Sequence, residues 1–500
     1  MWGRSSYISY IEFYQHGIYS NKSTTHRLQL QSYIVFLSSV IIITVFILVF
    51  QSQVMMILQK LFPVPVIVFA QHQNDSKSTI QHSGPVVKDK SLDIELVATG
   101  IDFPASMSFL DYDDILVTEK NTGMVKRILN GMILEKPVIS VDVQNYWEGG
   151  LLGIAIDKHS RSGPVYVYLY YSKAVKEGND FDNNKTNRTQ VEGNLLYRYE
   201  YNDGKLINPK LLLKIPYPQN FTFIHNGGVV LIGPDQYIYL VVGDLGHPVT
   251  KAQNVNSKLS TNGTSSIYRL TKEGAAVKGN LFGGDMAKYY AYGIRNSFGM
   301  DFDPVTGKLW DTENGPWYAD EMNLVQPGFN SGWKKVQGLS YLYNLYTKKQ
   351  FQPDSLVNFD GSGKYSEPEF VWNETFGVTA IKFLDSNKLG KNYENDVFVG
   401  DFDNGNIYHF DLNSDRTGLS LDDKLADKIA NNRDELQDVI FAQGFGAIVD
   451  IEVGPDGYIY VLSLFEAKDK CNPNTPYSDC YKFDARDIDG SIFRIVPKNK

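Results

Sequence analysis

Residues 225–244 read HNGGVVLIGPDQYIYLVVGD: an apolar run, a Gly-Pro-Asp turn and a second run rich in Tyr, Val and Ile. Near-alternating apolar residues on both sides of a turn predict neighbouring antiparallel strands. The same pattern returns at residues 447–463 as AIVDIEVGPDGYIYVLS. One short sheet of this kind cannot bury both of its faces, so the repeat indicates several copies packed side by side.

Four further copies begin at Pro104, Gly149, Arg295 and Val378, which brings the number to six. Closing such a set into a ring protects the edge strands of each sheet. We therefore predict an all-β fold, a six-bladed β-propeller. After about residue 100 only residues 421–443 show even a weak helical period, which disfavours a sheet with crossover helices.

An apolar segment precedes the repeats. Residues 33–50 read YIVFLSSVIIITVFILVF, and the flank before them is mainly basic. A run of this length can cross a hydrocarbon core of about 30 Å as a helix, and the basic flank predicts that the N terminus stays in the cytoplasm. The predicted order is a short cytoplasmic segment (1–27), a transmembrane or signal-anchor region (28–70), a linker (71–92) and the propeller (93–500).

A second interpretation of the N-terminal region stays open. Residues 55–71 read MMILQKLFPVPVIVFAQ, which resembles a secretory signal cleaved after Ala70. The propeller is then either outside the cell on a single-pass membrane protein, or secreted. Cys471 and Cys480 enclose a turn-rich loop, and a disulfide between them would agree with an oxidising compartment.

Two segments carry polar residues where the mouth of a propeller channel is expected. In FIHNGG, at residues 223–228, His225 could take a proton from a substrate hydroxyl near neutral pH. In YGIRNSFG, at residues 292–299, Arg295 could meet an oxyanion or a developing negative charge. Each has a structural alternative, a hydrogen-bonded histidine at a blade top or an arginine that bridges two blades.

A third segment, residues 312–333, reads TENGPWYADEMNLVQPGFNSGW and is rich in oxygen ligands. It combines Glu313, Asp320 and Glu321 with the carbonyl groups of two turns. Ca²⁺ takes six to eight oxygen ligands at roughly 2.3–2.6 Å, and an irregular acidic loop can supply them. The pattern suggests a calcium site, and a solvated acidic loop is the alternative.

The strings EGGLLGIA, HNGG, YGIRN and TENGP occur in one order over about residues 92–497. Together they resemble the soluble, quinone-dependent glucose/sorbosone (aldose sugar) dehydrogenase family. The resemblance implies an enzyme in which pyrroloquinoline quinone (PQQ) lies over the channel and Ca²⁺ polarises its reactive carbonyl. It implies that an aldose or related polyol is oxidised by hydride transfer to the quinone, while a histidine removes the proton of the anomeric hydroxyl.

The resemblance also implies the role of each site residue. His225 matches the general base, and Arg295 matches the arginine beside the reactive carbonyl. The positions implied to line the cofactor pocket are Glu148, Asn296 and Asn314. Those implied to bind calcium are the carbonyls of Gly315 and Pro316 at the cofactor's ion, and Asp320, Glu321 and Ser331 at a second, structural ion.

Several cofactor positions depart from the family pattern. The Arg-x-Arg-Asp string at the start of the last blade is Ala447-Ile448-Val449-Asp450 here, and acidic Asp403 stands where blade five has a basic residue. The quinone carries three carboxylates, and burying such charges without cations is costly. The sequence therefore predicts weaker quinone binding than in relatives that keep the basic residues.

Two other functions stay open, because propellers change function readily. One is a cofactor-less, calcium-dependent module that binds glycans or a partner protein. The other is a lactone hydrolase, which would hold a metal deep in the channel by side-chain carboxylates. The predicted partners are a sugar and the membrane, the electron acceptor is left open, and a net charge of −9 without a Lys/Arg stripe argues against nucleic acid.

Overall fold

The structure is a computed structural model. It describes residues 84–157, 163–175, 191–217, 223–246, 250–255, 261–464 and 489–498. The predicted membrane segment and the Cys471–Cys480 disulfide lie outside these residues and stay predictions. Among the described residues, no helix has the length and apolar character needed to span a membrane.

Short strands make up most of the first half of the described chain. They are β1 (Val86–Val87), β2 (Leu92–Asp102), β3 (Pro104–Asp111), β4 (Asp114–Glu119), β5 (Met124–Leu129), β6 (Met132–Ile133), β7 (Ile139–Ser140), β8 (Leu151–Asp157), β9 (Val165–Ala174), β10 (Val191–Asn202), β11 (Lys205–Ile215), β12 (Val230–Ile232), β13 (Ile238–Val242), β14 (Ser266–Leu270) and β15 (Tyr289–Tyr292).

The second half continues in the same way. Its strands are β16 (Ser297–Phe302), β17 (Leu309–Glu313), β18 (Asp320–Val325), β19 (Phe329–Asn330), β20 (Lys364–Tyr365), β21 (Phe370–Trp372), β22 (Val378–Phe383), β23 (Val397–Asp401), β24 (Ile407–Phe410), β25 (Ile429–Ala430), β26 (Ile440–Gln443), β27 (Ile448–Val453), β28 (Ile459–Ser463) and β29 (Asp489–Pro497).

These strands form six sheets, each built on one of the six repeat copies. The pairing is mainly antiparallel, and short parallel strands extend two of the sheets. The strand orders are β3-β4-β5-β6 with β7 beside β5, β11-β10-β9-β8, β12-β13-β14-β15-β19-β20, β16-β17-β18-β21-β25, β1-β26-β24-β23-β22 and β2-β29-β28-β27.

The sheets follow one another around a closed ring. Strands at or next to the inner end of each sheet touch the next sheet in turn: β3 contacts β8, β8 contacts β12, β13 contacts β16, β16 contacts β22, and β22 contacts β27. The ring closes because β27 contacts β3. The predicted class, an all-β propeller, is confirmed.

Each pair of neighbouring sheets encloses one hydrophobic cluster. Between the β16–β18 and β22–β24 sheets, for example, Trp310 and Trp372 are fully buried against Tyr408 and Phe410. Alternate side chains of a strand point to opposite faces, so each sheet contributes to the cluster on either side of it. Truncating one of these tryptophans to alanine would cost about 3–5 kcal/mol of unfolding free energy.

Strands from both ends of the described chain share one sheet. Strand β2 pairs with β29 antiparallel over its whole length, from Leu92 opposite Pro497 to Asp102 opposite Asp489. Val86–Val87 pairs with β26, so the segment predicted to be a linker (71–92) contains a paired strand.

The weak helical period at residues 421–443 does not correspond to an α-helix. The segment contains two 3₁₀ turns and the strands β25 and β26, which pair with β21 and β24. Its apolar residues Leu425 and Leu436 reach the same cluster as the tryptophans without a regular helix. The single α-helix of the described residues, α1 (Ser340–Thr347), lies elsewhere.

Candidate active site

A cavity of about 280 Å³ occupies the channel inside the ring. Its volume is near the lower end of the range for small-molecule sites. Every sheet contributes to its wall through the innermost strand, with Ser106, Leu152, Val230, Met300, Ile381 and Ile451 among the lining residues. Lys120, Glu148, Asn296, Asn314 and Asp403 also line it. The predicted pocket residues Glu148, Asn296 and Asn314 are therefore brought together.

His225 does not itself line this cavity, but its backbone N–H donates to Glu148, which does, and its ring is held by a carboxylate. Its Nδ1 atom lies 2.6 Å from Oδ1 of Asp244, which follows β13. Asp244 also accepts hydrogen bonds from the backbone N–H of Gly246 at 2.7 Å and from the indole N–H of Trp333 at 2.8 Å. An aspartate at this position orients the imidazole and limits its rotation.

The ionisation of Asp244 decides which nitrogen of His225 carries the proton. Burial by itself would raise the pKa of Asp244, but the hydrogen bond and charge of His225, with the Gly246 and Trp333 donors, hold it below its ordinary value. An ionised carboxylate only accepts hydrogen bonds, so Nδ1 of His225 is the donor. Whenever the ring carries a single proton, that proton is on Nδ1 and the Nε2 atom is a proton acceptor.

The backbone around His225 has unusual dihedral angles and is tightly packed. His225 itself has a φ of 59°, in the left-handed region that a residue with a side chain seldom adopts. Its backbone N–H, and that of Asn226, donate to Oε2 of Glu148. Gly227 has a φ of 65°, and a Cβ atom there would lie 2.5 Å from the carbonyl oxygen of Val241. The HNGG string thus fixes His225 next to Glu148.

Arg295 is connected to His225 through Asp244 and Trp333. The backbone N–H of Asp244 donates to the Arg295 carbonyl at 2.9 Å, and the guanidinium lies 5.3 Å from the centre of the Trp333 ring. Its Nη1 atom donates to the carbonyl of Asn314 at 2.7 Å. Burial lowers the pKa of Arg295, and the nearby carboxylates, Asp244 first, oppose that effect. Arg295 therefore belongs to one polar cluster with the histidine.

Three polar atoms of this cluster are buried and have no hydrogen-bond partner among the described residues. They are Nε of Arg295, Oδ1 of Asn296 and Oδ1 of Asn314. Buried polar groups are nearly always paired in native proteins, and exceptions call for an explanation. A polar ligand in the cavity would supply partners for them.

Lys120 is a cation of the cavity that the sequence interpretation missed. It follows β4, is 5 % exposed, and its ammonium lies 4.7 Å from the centre of the Phe103 ring. Burial lowers the pKa of Lys120 to about 7, although the charge of Glu148 partly offsets this. Its neighbour Asn121 accepts a hydrogen bond from it at 2.8 Å.

Other charged residues of the cavity wall already have partners. The ammonium of Lys382 lies 2.7 Å from Glu452 and 3.4 Å from Asp301. Asp450 accepts hydrogen bonds from the backbone of Met107 and the hydroxyl of Ser106. The ammonium of Lys382 therefore compensates the charges of Glu452 and Asp301.

The predicted calcium residues fall into two groups on opposite faces of β18. The carboxylate of Asp320 accepts backbone hydrogen bonds from Gly315, Phe376 and Gly377. Burial raises the pKa of Asp320 to about 6, and these donors oppose the shift. Asp320 therefore holds the Gly315-Pro316 turn in place, and its oxygens are already hydrogen-bonded.

Glu321 points the other way and faces two more carboxylates. It is opposite Glu313 in the antiparallel pair of β17 and β18, and Asp311 lies two residues before Glu313 on the same face. Ser331 donates to Glu313 at 3.2 Å. Burial, and then the mutual charge within this group, raises the pKa of Glu313, and burial raises those of Asp311 and Glu321. The structure thus joins Glu321 and Ser331 and separates them from Asp320.

The positions that depart from the family pattern differ in their surroundings. Val449 and Asp403 line the cavity. Ala447 is fully buried, in a small cluster with Phe103 and Leu464. A basic side chain that replaced Val449 would reach the cavity, whereas one that replaced Ala447 would have no room.

Comparison with known proteins identifies the family. Residues 101–469 match the family described as Glucose / Sorbosone dehydrogenase. Because the match covers most of the chain, the protein belongs to this family, and the resemblance predicted from the sequence is confirmed.

Individual relatives agree with this assignment. The chain is 30 % identical to quinoprotein glucose dehydrogenase B of Acinetobacter calcoaceticus over 284 residues, which cover 52 % of this chain and 57 % of that protein. It is 25 % identical to the aldose sugar dehydrogenase YliI of Escherichia coli over 379 residues, or 75 % of this chain and 90 % of that protein.

Solved structures share the fold. The soluble aldose sugar dehydrogenase of Escherichia coli, in its apo form, superimposes with a TM-score of 0.57 at 22 % identity, covering 81 % of this chain and 100 % of that one. The PQQ-bound aldose sugar dehydrogenase of Streptomyces coelicolor gives a TM-score of 0.55 at 20 % identity, covering 82 % and 99 %.

Proposed function

We propose that this protein oxidises an aldose sugar or related polyol at its anomeric carbon, with PQQ as the electron acceptor bound at the cavity. The main observation behind this proposal is the hydrogen bond between His225 and Asp244, next to that cavity. It leaves Nε2 of His225 able to accept the proton of the anomeric hydroxyl as the C–H bond breaks. The relatives named as quinoprotein glucose dehydrogenase and aldose sugar dehydrogenase support this substrate class.

The residues present fit the cofactor at its polar edge. Arg295, Asn296 and Asn314 each have a buried polar atom that lacks a partner among the described residues, so they would contact the quinone's oxygen and nitrogen atoms. Lys120 would neutralise one carboxylate. When bound, the quinone would supply the acceptor for the hydride that leaves the sugar. Arg295 would stabilise negative charge that develops beside it.

Calcium is part of the proposal. The Gly315-Pro316 turn, which Asp320 fixes, would present carbonyl oxygens to an ion at the cofactor. The carboxylates of Asp311, Glu313 and Glu321 would bind a second ion, because three buried groups of like charge on one side of a strand pair are costly when uncompensated. Asp320 would serve the first site as a support rather than the second as a ligand.

A second candidate function rests on the charge of the cavity wall. Glu148, Asp403, Asp450 and Glu452 all line it, and Lys382 is already paired. An acidic wall disfavours a tricarboxylate, so a propeller that binds a neutral glycan without a cofactor is the alternative. The lactone hydrolase has less support, because Lys382 already pairs with Glu452.

We also propose that the six sheets count as six blades and that the propeller is exported. The order of sheets around the ring supports the first statement. The apolar residues 33–50 support the second, with the protein either anchored in the membrane or secreted after cleavage at Ala70.

Steady-state assays test this function. Full-length protein purified in detergent is incubated with PQQ and Ca²⁺, then given a panel of aldoses and an artificial electron acceptor. Dye reduction that requires both the quinone and a sugar supports the dehydrogenase. Absence of dye reduction, combined with saturable sugar binding, would support the binding module.

A further inference from the structure

A second cluster of metal-ligand side chains lies on the β22–β24 sheet. Strands β23 and β24 pair antiparallel, with Val397 opposite Phe410 and Phe398 opposite His409. Asp396 directly precedes β23 and Asp411 directly follows β24, so the register places the two aspartates opposite each other. Alternate residues share a face, so His409 lies on the same face as Asp411.

The three side chains converge. Nε2 of His409 lies 3.0 Å from Oδ2 of Asp396 and 3.6 Å from Oδ1 of Asp411. One ligand atom from each residue lies within 4.8 Å of the other two, and no other such group occurs among the described residues. Around a tetrahedral ion with bonds of about 2.0–2.2 Å, the ligand atoms are about 3.3–3.6 Å apart. The observed spacing is close to that geometry.

Charge gives a reason for a cation here. Like charges directly opposite each other across an antiparallel pair are destabilising. The register of β23 and β24 places Asp396 and Asp411 in this relation. Asp422 adds a further negative charge nearby. A divalent ion would offset the repulsion between the aspartates.

The surrounding structure fixes the positions of Asp396 and His409 without a bound ion. The His409 ring lies among Phe398, Tyr393 and Phe441, with ring centres 5.0, 5.2 and 6.3 Å away. The carbonyl of Asp396 accepts a hydrogen bond from Leu384 at 3.0 Å. The side chains of Asp396 and His409 are 14 % and 20 % exposed, whereas that of Asp411 is 64 % exposed. An ion can therefore enter from solvent past Asp411 and keep a water ligand.

The cluster is remote from the cavity. It lies at the Val397 end of β23, and the residues that line the cavity, Phe402 and Asp403, follow the other end at Asp401. An imidazole with two carboxylates suits borderline ions such as Zn²⁺, whereas Ca²⁺ prefers oxygen ligands alone.

We propose that Asp396, His409 and Asp411 form a binding site for a divalent transition-metal ion, best matched by Zn²⁺ with water in the fourth position. An ion bound to these residues links the start of β23 to the end of β24. It stabilises the folded protein because the unfolded chain does not bring the three ligands together.

The test uses full-length protein without a polyhistidine tag, stripped of metal and returned to excess Ca²⁺ so that oxygen-only sites are filled. Titration with Zn²⁺ should then show one tight equivalent and a raised melting temperature. His409→Gln and Asp411→Asn should each weaken binding by ~100-fold or more, since even the loss of an outer hydrogen-bond partner costs 10–100-fold.

Two variants serve as controls. Asp385→Asn removes an exposed carboxylate of the same region, and His225→Gln removes the histidine of the cavity; both should keep Zn²⁺ binding. Co²⁺ is the second probe and should give the visible absorption of a tetrahedral ion, which His409→Gln abolishes. Zn²⁺ binding that survives His409→Gln, binding that His225→Gln removes, or no tight equivalent in the parent protein would overturn the proposal.

Discussion

The imidazole of His225 and the carboxylate of Asp244 are joined by a 2.6 Å contact between Nδ1 and Oδ1. Trp333 holds the other carboxylate oxygen, so the aspartate cannot turn away from the histidine. This arrangement presents Nε2 of His225 as a fixed proton acceptor. The proposed chemistry depends on it more than on any other contact.

Removing the imidazole tests the role of His225. We expect His225→Ala to lower turnover by ~10²-fold or more, the usual scale for loss of a general base. Asp244→Asn should also lower turnover, because a neutral amide replaces the charged carboxylate that accepts the hydrogen bond from Nδ1 of His225. Trp333→Phe removes only one donor to Asp244 and should have a smaller effect. Full activity in His225→Ala would rule out the histidine as base.

The charge of Lys120 should control quinone affinity. Lys120→Met should weaken PQQ binding, and Lys120→Arg should largely preserve it. Since the pKa of Lys120 is lowered to about 7, its ammonium is lost as the pH rises above that value. Affinity measured by fluorescence titration should therefore fall from pH 6.5 to pH 8.5 in the parent and less in Lys120→Arg. Equal affinities for parent and Lys120→Met would contradict this role.

At position 449 the cavity wall has Val where the family has a basic residue, so this position can be used to test the wall's charge. Val449→Arg should strengthen quinone binding because Val449 lines the cavity, with Val449→Met as the control for size. The same change at Ala447 should instead destabilise the fold, since that residue is fully buried against Phe103 and Leu464. Quinone titrations that do not separate Val449→Arg from Val449→Met would argue against this interpretation.

The carboxylate group of Asp311, Glu313 and Glu321 should make stability depend on pH and calcium. Their pKa values are raised in the folded protein, so it binds protons more tightly than the unfolded chain. This contribution is complete below the ordinary carboxyl pKa near 4 and is lost as the pH rises through the raised values. Without calcium, the melting temperature should be lower at pH 8 than at pH 5, and Glu321→Gln should reduce the difference.

Calcium should restore stability at pH 8. A gain of about 2.7 kcal/mol is expected when free Ca²⁺ exceeds its dissociation constant ~100-fold. Matching melting curves in excess Ca²⁺ and in excess chelator would remove the case for these sites.

Export is tested by protease added outside intact cells. The apolar residues 33–50 and their basic flank predict that the propeller is digested without lysis, whether or not it stays tethered. A cytoplasmic protein serves as the control for leakage. Digestion that occurs only after lysis would place the propeller inside.

The propeller could be predicted from the sequence because turn residues and alternating strands are local signals, whereas the role of His225 stays a prediction. Glu148, Asn296 and Asn314 line one cavity, and their role as cofactor contacts stays a prediction. Lys120 was missed because only the closed ring brings the end of β4 to that cavity. Asp320 and Glu321 are adjacent in sequence, yet strand alternation sends them to opposite faces. Asp396 and His409 are 13 residues apart and meet only through strand pairing.

The most direct measurement follows the bound quinone itself. Protein saturated with PQQ and Ca²⁺ is mixed without oxygen or dye with an aldose, and the absorption spectrum is recorded over a single turnover. We expect the quinone to be reduced stoichiometrically in the parent protein and ~10²-fold more slowly in His225→Ala. A quinone that binds but is not reduced by any aldose, or one that does not bind at all, would contradict the proposed function.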